Sequence, residues 1–209
     1  MKSVLISIRP QWVEKIVSGK KTIEVRKTAP KEVPFKAYIY CSKDNANEIV
    51  LLKNDKNRFI FGDYRNADGH FYTIANGKVI GEFVCDEVEE FHEWELSPQG
   101  KFAEFEEERL EKFLSATCLS ISEVVRYREN LPYYKQLYGW HISDLKIYDE
   151  PKELSEFNRP CPIENKDCEN CIRYGKPHTW NFDEKKGTIY CTRRLTRPPQ
   201  SWQYVEELK

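Results

Sequence analysis

The 209-residue chain has one methionine, four histidines and nine glycines, and no apolar run approaching the roughly 20 residues that a bilayer-spanning helix requires. Its longer apolar stretches, such as Ile49-Val50-Leu51-Leu52, stop after a few residues. The amino end enters a polar-punctuated strand and lacks the pattern of a secretory signal, so the expected location is cytoplasmic, with no membrane partner. Net charge is also scarce: 33 Lys+Arg against 34 Asp+Glu leave −1, which argues against an indiscriminate coat protein for nucleic acid. Aromatic residues are abundant instead, with 12 Tyr, 11 Phe and 5 Trp, and 40% of the chain is hydrophobic. That is enough for a core and argues against disorder; the length suits one elaborated domain, or one domain and a small module.

The balanced charge is unevenly placed. Residues 1–36 carry nine Lys/Arg against three acids, and residues 81–113 carry twelve acids against three cations. Two solvated faces would explain this. A basic groove for a polyanion, with the acidic segment on another side discouraging non-specific adhesion, would explain it too; that segment is also where a protein partner could bind.

The patterning mixes strands and helices. Val4-Leu5-Ile6-Ser7-Ile8 reads as a strand; Pro10, Trp12, Val13, Ile16 and Val17 then form an amphipathic helix stopped by Gly19. Ile23 and Val25 alternate with Thr22, Glu24 and Arg26, which predicts a strand with one polar row. A third strand spans 37–41, and Asn76-Gly77 predicts a tight hairpin between the strands on either side. Residues 44–69 read as a loop or peripheral insertion. Helical spacing covers 102–114, a second helix starts near Ser120 with Glu123 completing a capping box, and 139–148 alternate as a strand. The fold class is therefore α+β, with an antiparallel or mixed β-barrel and flanking helices.

Ile6-Ser7-Ile8-Arg9-Pro10 followed by Gly19-Lys20-Lys21-Thr22-Ile23-Glu24-Val25-Arg26-Lys27 resembles the ASCH domain signature, a G-x-K-x-x-E-x-R pattern after a first strand and helix. Tyr38-Ile39-Tyr40-Cys41-Ser42 resembles the strand that follows, and Tyr138-Gly139-Trp140-His141-Ile142-Ser143 the family's late strand. The matches span about residues 1–150 in order, and the chain most resembles the bacteriophage-associated members with a cysteine-bearing C-terminal extension. The resemblance implies a PUA-like barrel, related to modules that bind RNA or modified bases.

In chemical terms, Arg9 and Arg26 can clamp phosphate bidentately, Lys20, Lys21 and Lys27 supply point charge, and Trp12, Tyr40 or Trp140 can stack a base. Glu24 is a poor phosphate ligand and a good acceptor for the amines of a base edge, unless it serves only as a structural ion pair. The resembling strands add Ser42 and Ser143 to the ligand-binding set. One ASCH branch hydrolyses the amide of N4-acetylcytidine with a Lys, a Thr three residues on and a distant Glu. Lys21 matches that Lys, but Glu24 stands at the Thr position, which removes the expected hydroxyl; Thr22 is adjacent in sequence and shares the Glu24 face. Another branch is associated with ribonuclease activity, for which His141 and Lys21 form a candidate acid–base pair.

Cys161, Cys168, Cys171 and Cys191 follow C-x6-C-x2-C-x19-C. A tight turn presenting two sulfurs, with two more to close a tetrahedron, suits a structural Zn²⁺; an iron–sulfur cluster or free thiols are the alternatives, and His178 could replace one Cys. The segment is poor in aliphatic residues, so a metal would supply missing stability. The expected division is an ASCH domain over 1–155 and a cysteine-rich zinc-binding extension over 156–209. The leading expectation is a module that binds RNA or a single-stranded or modified nucleotide. An enzyme in the same pocket is the second, and a phage-type protein-interaction module using the acidic 81–113 segment is the third.

Overall fold

The structure, a computed structural model, describes residues 1–43, 49–53, 59–63, 72–92, 103–129, 131–132, 134–161, 180–183, 188–191 and 193–208. For 49–53, 59–63, 72–73, 103–106, 180–183 and 188–191 it describes the backbone alone.

The main sheet grows from strand β1 (Lys2–Ile8), whose Val4, Leu5 and Ile6 are fully buried on its two faces. β1 lies parallel to β3 (Phe35–Cys41), from Lys2 opposite Phe35 to Ile8 opposite Cys41. A parallel pair needs a crossover. Here it is supplied by α1 (Pro10–Val17) and β2 (Ile23–Arg26). Pro10 starts the helix, Val13 and Ile16 are its buried stripe, and Gly19 at φ +73 reverses the chain where a side chain would strain it. Beyond β3 come β7 (Val79–Cys85) and β10 (Ser143–Lys152), and β13 (Trp202–Val205) closes the other side of β1, giving the order β10-β7-β3-β1-β13. A Cβ at Gly81 of β7 would meet the Lys146 carbonyl, so β10 can approach there only because that side chain is missing.

A second sheet, β2-β9-β8, is built on β9 (Leu137–His141) with β8 (Val88–Phe91). Helices α2 (Ala103–Thr117) and α3 (Ile121–Arg128) cover it through a core of Val25, Phe91, Leu110, Phe113, Val124 and Leu137, in which Phe91 and Phe113 stack at 4.1 Å. The opposite side of this sheet meets the main sheet and α1 around Trp140, Phe35, Ile6 and Ile16.

Three sequence expectations change. The strands form separate sheets, and no closed barrel is present among the described residues. β9 and β10 are joined by Ile142 alone, and the left-handed Asp144 and register shifts in β10 turn the chain out of one sheet and into the other. The Asn76-Gly77 turn forms, with Gly77 at φ +77, but joins strands of different sheets: its preceding strand, β6 (Tyr72–Ile74), pairs with β4 (Ile49–Lys53), while β7 pairs with β3. Residues 44–69, expected as a loop or peripheral insertion, contain β4 and β5 (Phe59–Asp63), paired antiparallel, so the loop alternative does not hold. Their short apolar runs are strands in a three-stranded sheet with β6.

Towards the carboxyl end, β11 (Trp180–Asp183) and β12 (Thr188–Cys191) make a two-stranded ribbon. The chain then returns to the main sheet. Phe157, Leu195 and Val205 pack with Leu5, Tyr38 and Tyr40, so residues on both sides of the expected 155/156 division share one core. No helix among the described residues is long and apolar enough to cross a membrane.

Candidate functional site: a cation-lined cavity

The crossover from β1 to β3 places three charged side chains in the interior. After Gly19 reverses the chain, the Lys21 amide donates to the Lys15 carbonyl at 2.9 Å and the side chain turns inward, 2% exposed. Its Nζ donates at 2.7 Å to the carbonyl of Thr117, the last residue of α2, where the helix dipole favours a cation. The same ammonium lies 3.4 Å from Glu24 Oε2 and 5.4 Å from the centre of the Trp12 ring. Glu24 and Arg26, two apart on β2, share a face; Arg26 Nη2 reaches Glu24 Oε1 at 2.9 Å and donates to the Ser7 carbonyl at 2.7 Å. Arg26 Nη1 reaches Ser201 Oγ at 3.4 Å, and its Nε is buried without a hydrogen-bond partner. Burial holds the Lys21 amine below its ordinary pKa, and the Glu24 carboxylate opposes that shift.

These three residues form the inner wall of a cavity of about 990 Å³. Arg9, Lys43 and Arg126, all exposed, line it as well, so its described lining holds five cationic side chains against two carboxylates, Glu24 and Glu123. Glu123 is already committed to capping α3, accepting the Ser120 amide at 2.8 Å. Trp12, Tyr40 and Tyr127 supply aromatic wall; burial raises the pKa of both tyrosines, which keeps them neutral donors. The segment 196–201 contributes a further side. Ser7 Oγ donates to the Pro199 carbonyl at 2.6 Å, and the Ser7 amide to the Ser201 carbonyl at 2.9 Å.

Residues 6–178, which include the end of β1, all of β2 and the inner wall, match the ASCH domain family. The chain belongs to the ASCH domain family. The expectation raised by its G-x-K-x-x-E-x-R motif is thus met. None of the curated proteins is similar enough to count as a match. Among solved structures, the ASCH protein of Zymomonas mobilis is similar at 17% identity, over 99% of this chain and 89% of that one, with a TM-score of 0.43. A serine-to-alanine variant of that Zymomonas mobilis protein is similar at 15% identity, over 99% and 89%, with a TM-score of 0.48. The N-terminal domain of Staphylothermus marinus McrB is similar at 11% identity, over 72% and 76%, with a TM-score of 0.35.

In this ASCH domain, Arg9, Trp12, Lys21, Glu24, Arg26, Tyr40 and Ser42 meet around the cavity. The other candidates lie elsewhere. Thr22 is exposed and, with Lys20, lines a separate shallow depression beside Glu111 and Lys112, because β2 begins only at Ile23 and the Thr22 amide is held by Ala116. Lys27 donates to the Glu129 carbonyl at 3.3 Å and sits over the Tyr127 ring. Trp140 is fully buried, edge-on to Phe35 at 5.0 Å and Trp202 at 5.6 Å, and does not line the cavity. Ser143 Oγ donates to Asp86. His141, expected as a partner of Lys21, instead lies between Glu87 at 3.9 Å and Glu89 at 3.7 Å, off the cavity lining.

Of the expected metal ligands, Cys168, Cys171 and the side chain of Cys191 lie outside the described residues, as does His178. Cys161 is a half-buried free thiol whose amide donates to Glu206. Among the described residues, no three His, Cys, Asp or Glu side chains gather as a metal site. Lys43, Arg126 and Tyr127 line the cavity without having been expected from the sequence, whereas the basic-aromatic stretch 193–204 reads either as a second nucleic-acid contact or as an extension packed back on the domain. The capping box located the helix that carries Arg126 and Tyr127, but nothing local told which sheet it would cover.

Proposed function

We propose that this ASCH domain binds RNA, or a single-stranded or modified nucleotide, with one nucleotide in the cavity. The observation that carries the reading is the excess of cations around a single hollow with aromatic walls: its volume falls within the range of small-ligand sites, and its charge suits a phosphate ester. The inner wall alone holds two cations and one carboxylate away from water, an imbalance that a bound anion would relieve. That ASCH domains are generally RNA-binding, PUA-like modules supports the same reading. Trp12 or Tyr127 would stack the base, a contact of about 1–3 kcal/mol. The test is titration of a labelled single-stranded RNA decamer at several salt concentrations. Binding without turnover that weakens as salt rises is expected; the reading fails if no RNA binds.

Lys21 favours a second reading in the same cavity, hydrolysis of an acylated cytosine. A lysine that burial holds below its ordinary pKa, 3.4 Å from a carboxylate, is placed to exchange a proton with it. Here Lys21 and Glu24 would act without Thr22, which faces the other depression. Release of cytidine from N4-acetylcytidine, abolished by Lys21→Ala, is the expected signature; no release by the native protein ends this reading.

A structural zinc held by Cys161, Cys168, Cys171 and Cys191 remains part of the proposal, supported by their spacing. Elemental analysis of untagged protein should find about one zinc per chain, and its absence would remove the ion from the account.

A further inference from the structure

The ASCH match ends at residue 178, yet Thr196, Pro198, Pro199, Gln200 and Ser201 line the same cavity as Lys21, Glu24 and Arg26. This segment is fixed at both ends. Leu195, 1% exposed, donates its amide to the Phe157 carbonyl at 2.8 Å, and Val205, 4% exposed, pairs through β13 with Ser3 of β1. Between these anchors two prolines restrict the backbone. Ser7 is the clasp: its hydroxyl and amide hold the Pro199 and Ser201 carbonyls, and its own carbonyl accepts from Arg26. The guanidinium in turn reaches Ser201 Oγ. The C-terminal segment and the innermost cation are therefore parts of one hydrogen-bonded unit.

Within that unit Gln200 is the uncommitted group. It is exposed, lines the cavity, and makes no hydrogen bond among the described residues, while both Glu24 oxygens are engaged by Lys21 and Arg26. A carboxamide presents an acceptor beside a donor, which matches the paired groups on a base edge in a way that a point charge does not. Gln11 also lines the cavity, but it lies in the first turn of α1, outside the clasp. Gln200 lies between two residues whose carbonyls are both held by Ser7, so less backbone freedom is lost when its side chain binds.

We propose that residues 196–201 form the specificity-determining wall of the cavity, where Gln200 reads the hydrogen-bonding edge of an unpaired base and Ser201 positions Arg26 for its phosphate. This rests on the nucleotide-binding reading above. The base is recognised by a group that the family-matched segment does not provide, and the phosphate by one that it does.

The experiment measures Kd for labelled single-stranded decamers of rA, rC and rU with the native chain and the Gln200→Ala, Gln11→Ala and Ser201→Ala variants. The native affinities should span about tenfold or more, the discrimination expected of one edge-matched pair of hydrogen bonds to a base. Gln200→Ala should compress that span to about threefold and Gln11→Ala should preserve it. Ser201→Ala should weaken all three by a similar factor of about three, with Ser201→Thr restoring binding. Gln200 is exposed, so its replacement leaves the fold intact, which circular dichroism would verify. An undiminished span in Gln200→Ala, or a native chain that binds all three equally, overturns this inference alone. A native chain that binds none of them overturns the nucleotide-binding reading and this inference with it.

Discussion

Lys21, Glu24 and Arg26 on the inner wall are each less than a tenth exposed and tied to one another, whereas Arg9, Lys43 and Arg126 are exposed and make no ion pair among the described residues. All six line one cavity, but their physics differs. A charge withdrawn from water must be compensated within the protein, so the inner residues are part of what holds β1, β2 and the end of α2 together. A charge in water costs little to leave unpaired, so the outer residues are free to meet a ligand. The same hollow thus separates holding the site in shape from attracting what enters it.

The sharpest way to break that comparison is Glu24→Ala. It leaves two buried cations without their carboxylate, and a loss of about 3–5 kcal/mol in unfolding free energy is expected from urea denaturation. A loss below about 1 kcal/mol would mean that the inner wall is not held by its charges.

A smaller effect comes from Lys21 itself. Its pKa is lowered in the folded chain relative to the ordinary lysine value of 10.5, so the unfolded state binds more protons between those two values. Stability from this group therefore rises as pH climbs through that window and levels off above it. Unfolding measured from neutral to alkaline pH should show this rise in the native chain relative to Lys21→Met. Parallel profiles for the two would place Lys21 in water.

The outer residues should give the smallest change in stability and a clear change in binding. Arg9→Ala and Arg126→Ala should alter unfolding by no more than about 0.5 kcal/mol. Each should flatten the salt dependence of RNA affinity by about 0.7 in log–log slope, the value for one lost phosphate contact on a single strand.

Much of the inner wall was legible locally. Pro10 and Gly19 delimit α1, the alternation of 23–26 puts Glu24 and Arg26 on one face, and the Ser120–Glu123 capping box forms as its spacing implies. The ASCH motif drew attention to the right crossover. Local pattern failed where sheets meet. Thr22 keeps the alternation of β2 but precedes its first paired residue, so it stays outside the cavity. Trp140 alternates like a surface-facing aromatic, yet β9 is the centre of its sheet and presses that ring against Phe35 and Trp202. His141, next in the strand, is drawn to carboxylates of the acidic segment rather than to Lys21. The basic-aromatic character of 193–204 is visible in the sequence, but its place at the cavity is not, because the contacts of 196–201 with Arg26 and Ser7 join residues 175 and 192 positions apart.

The central claim is that the cavity is an electrostatic seat for a nucleotide, and salt-dependent titration of a single-stranded RNA decamer with the native chain and the Arg9→Ala/Arg126→Ala double variant tests it most directly. The account predicts a native affinity that falls steeply with salt and a double variant, equally well folded, that binds more weakly with a slope shallower by about 1.4. Equal affinity and equal slope for the two proteins would contradict it.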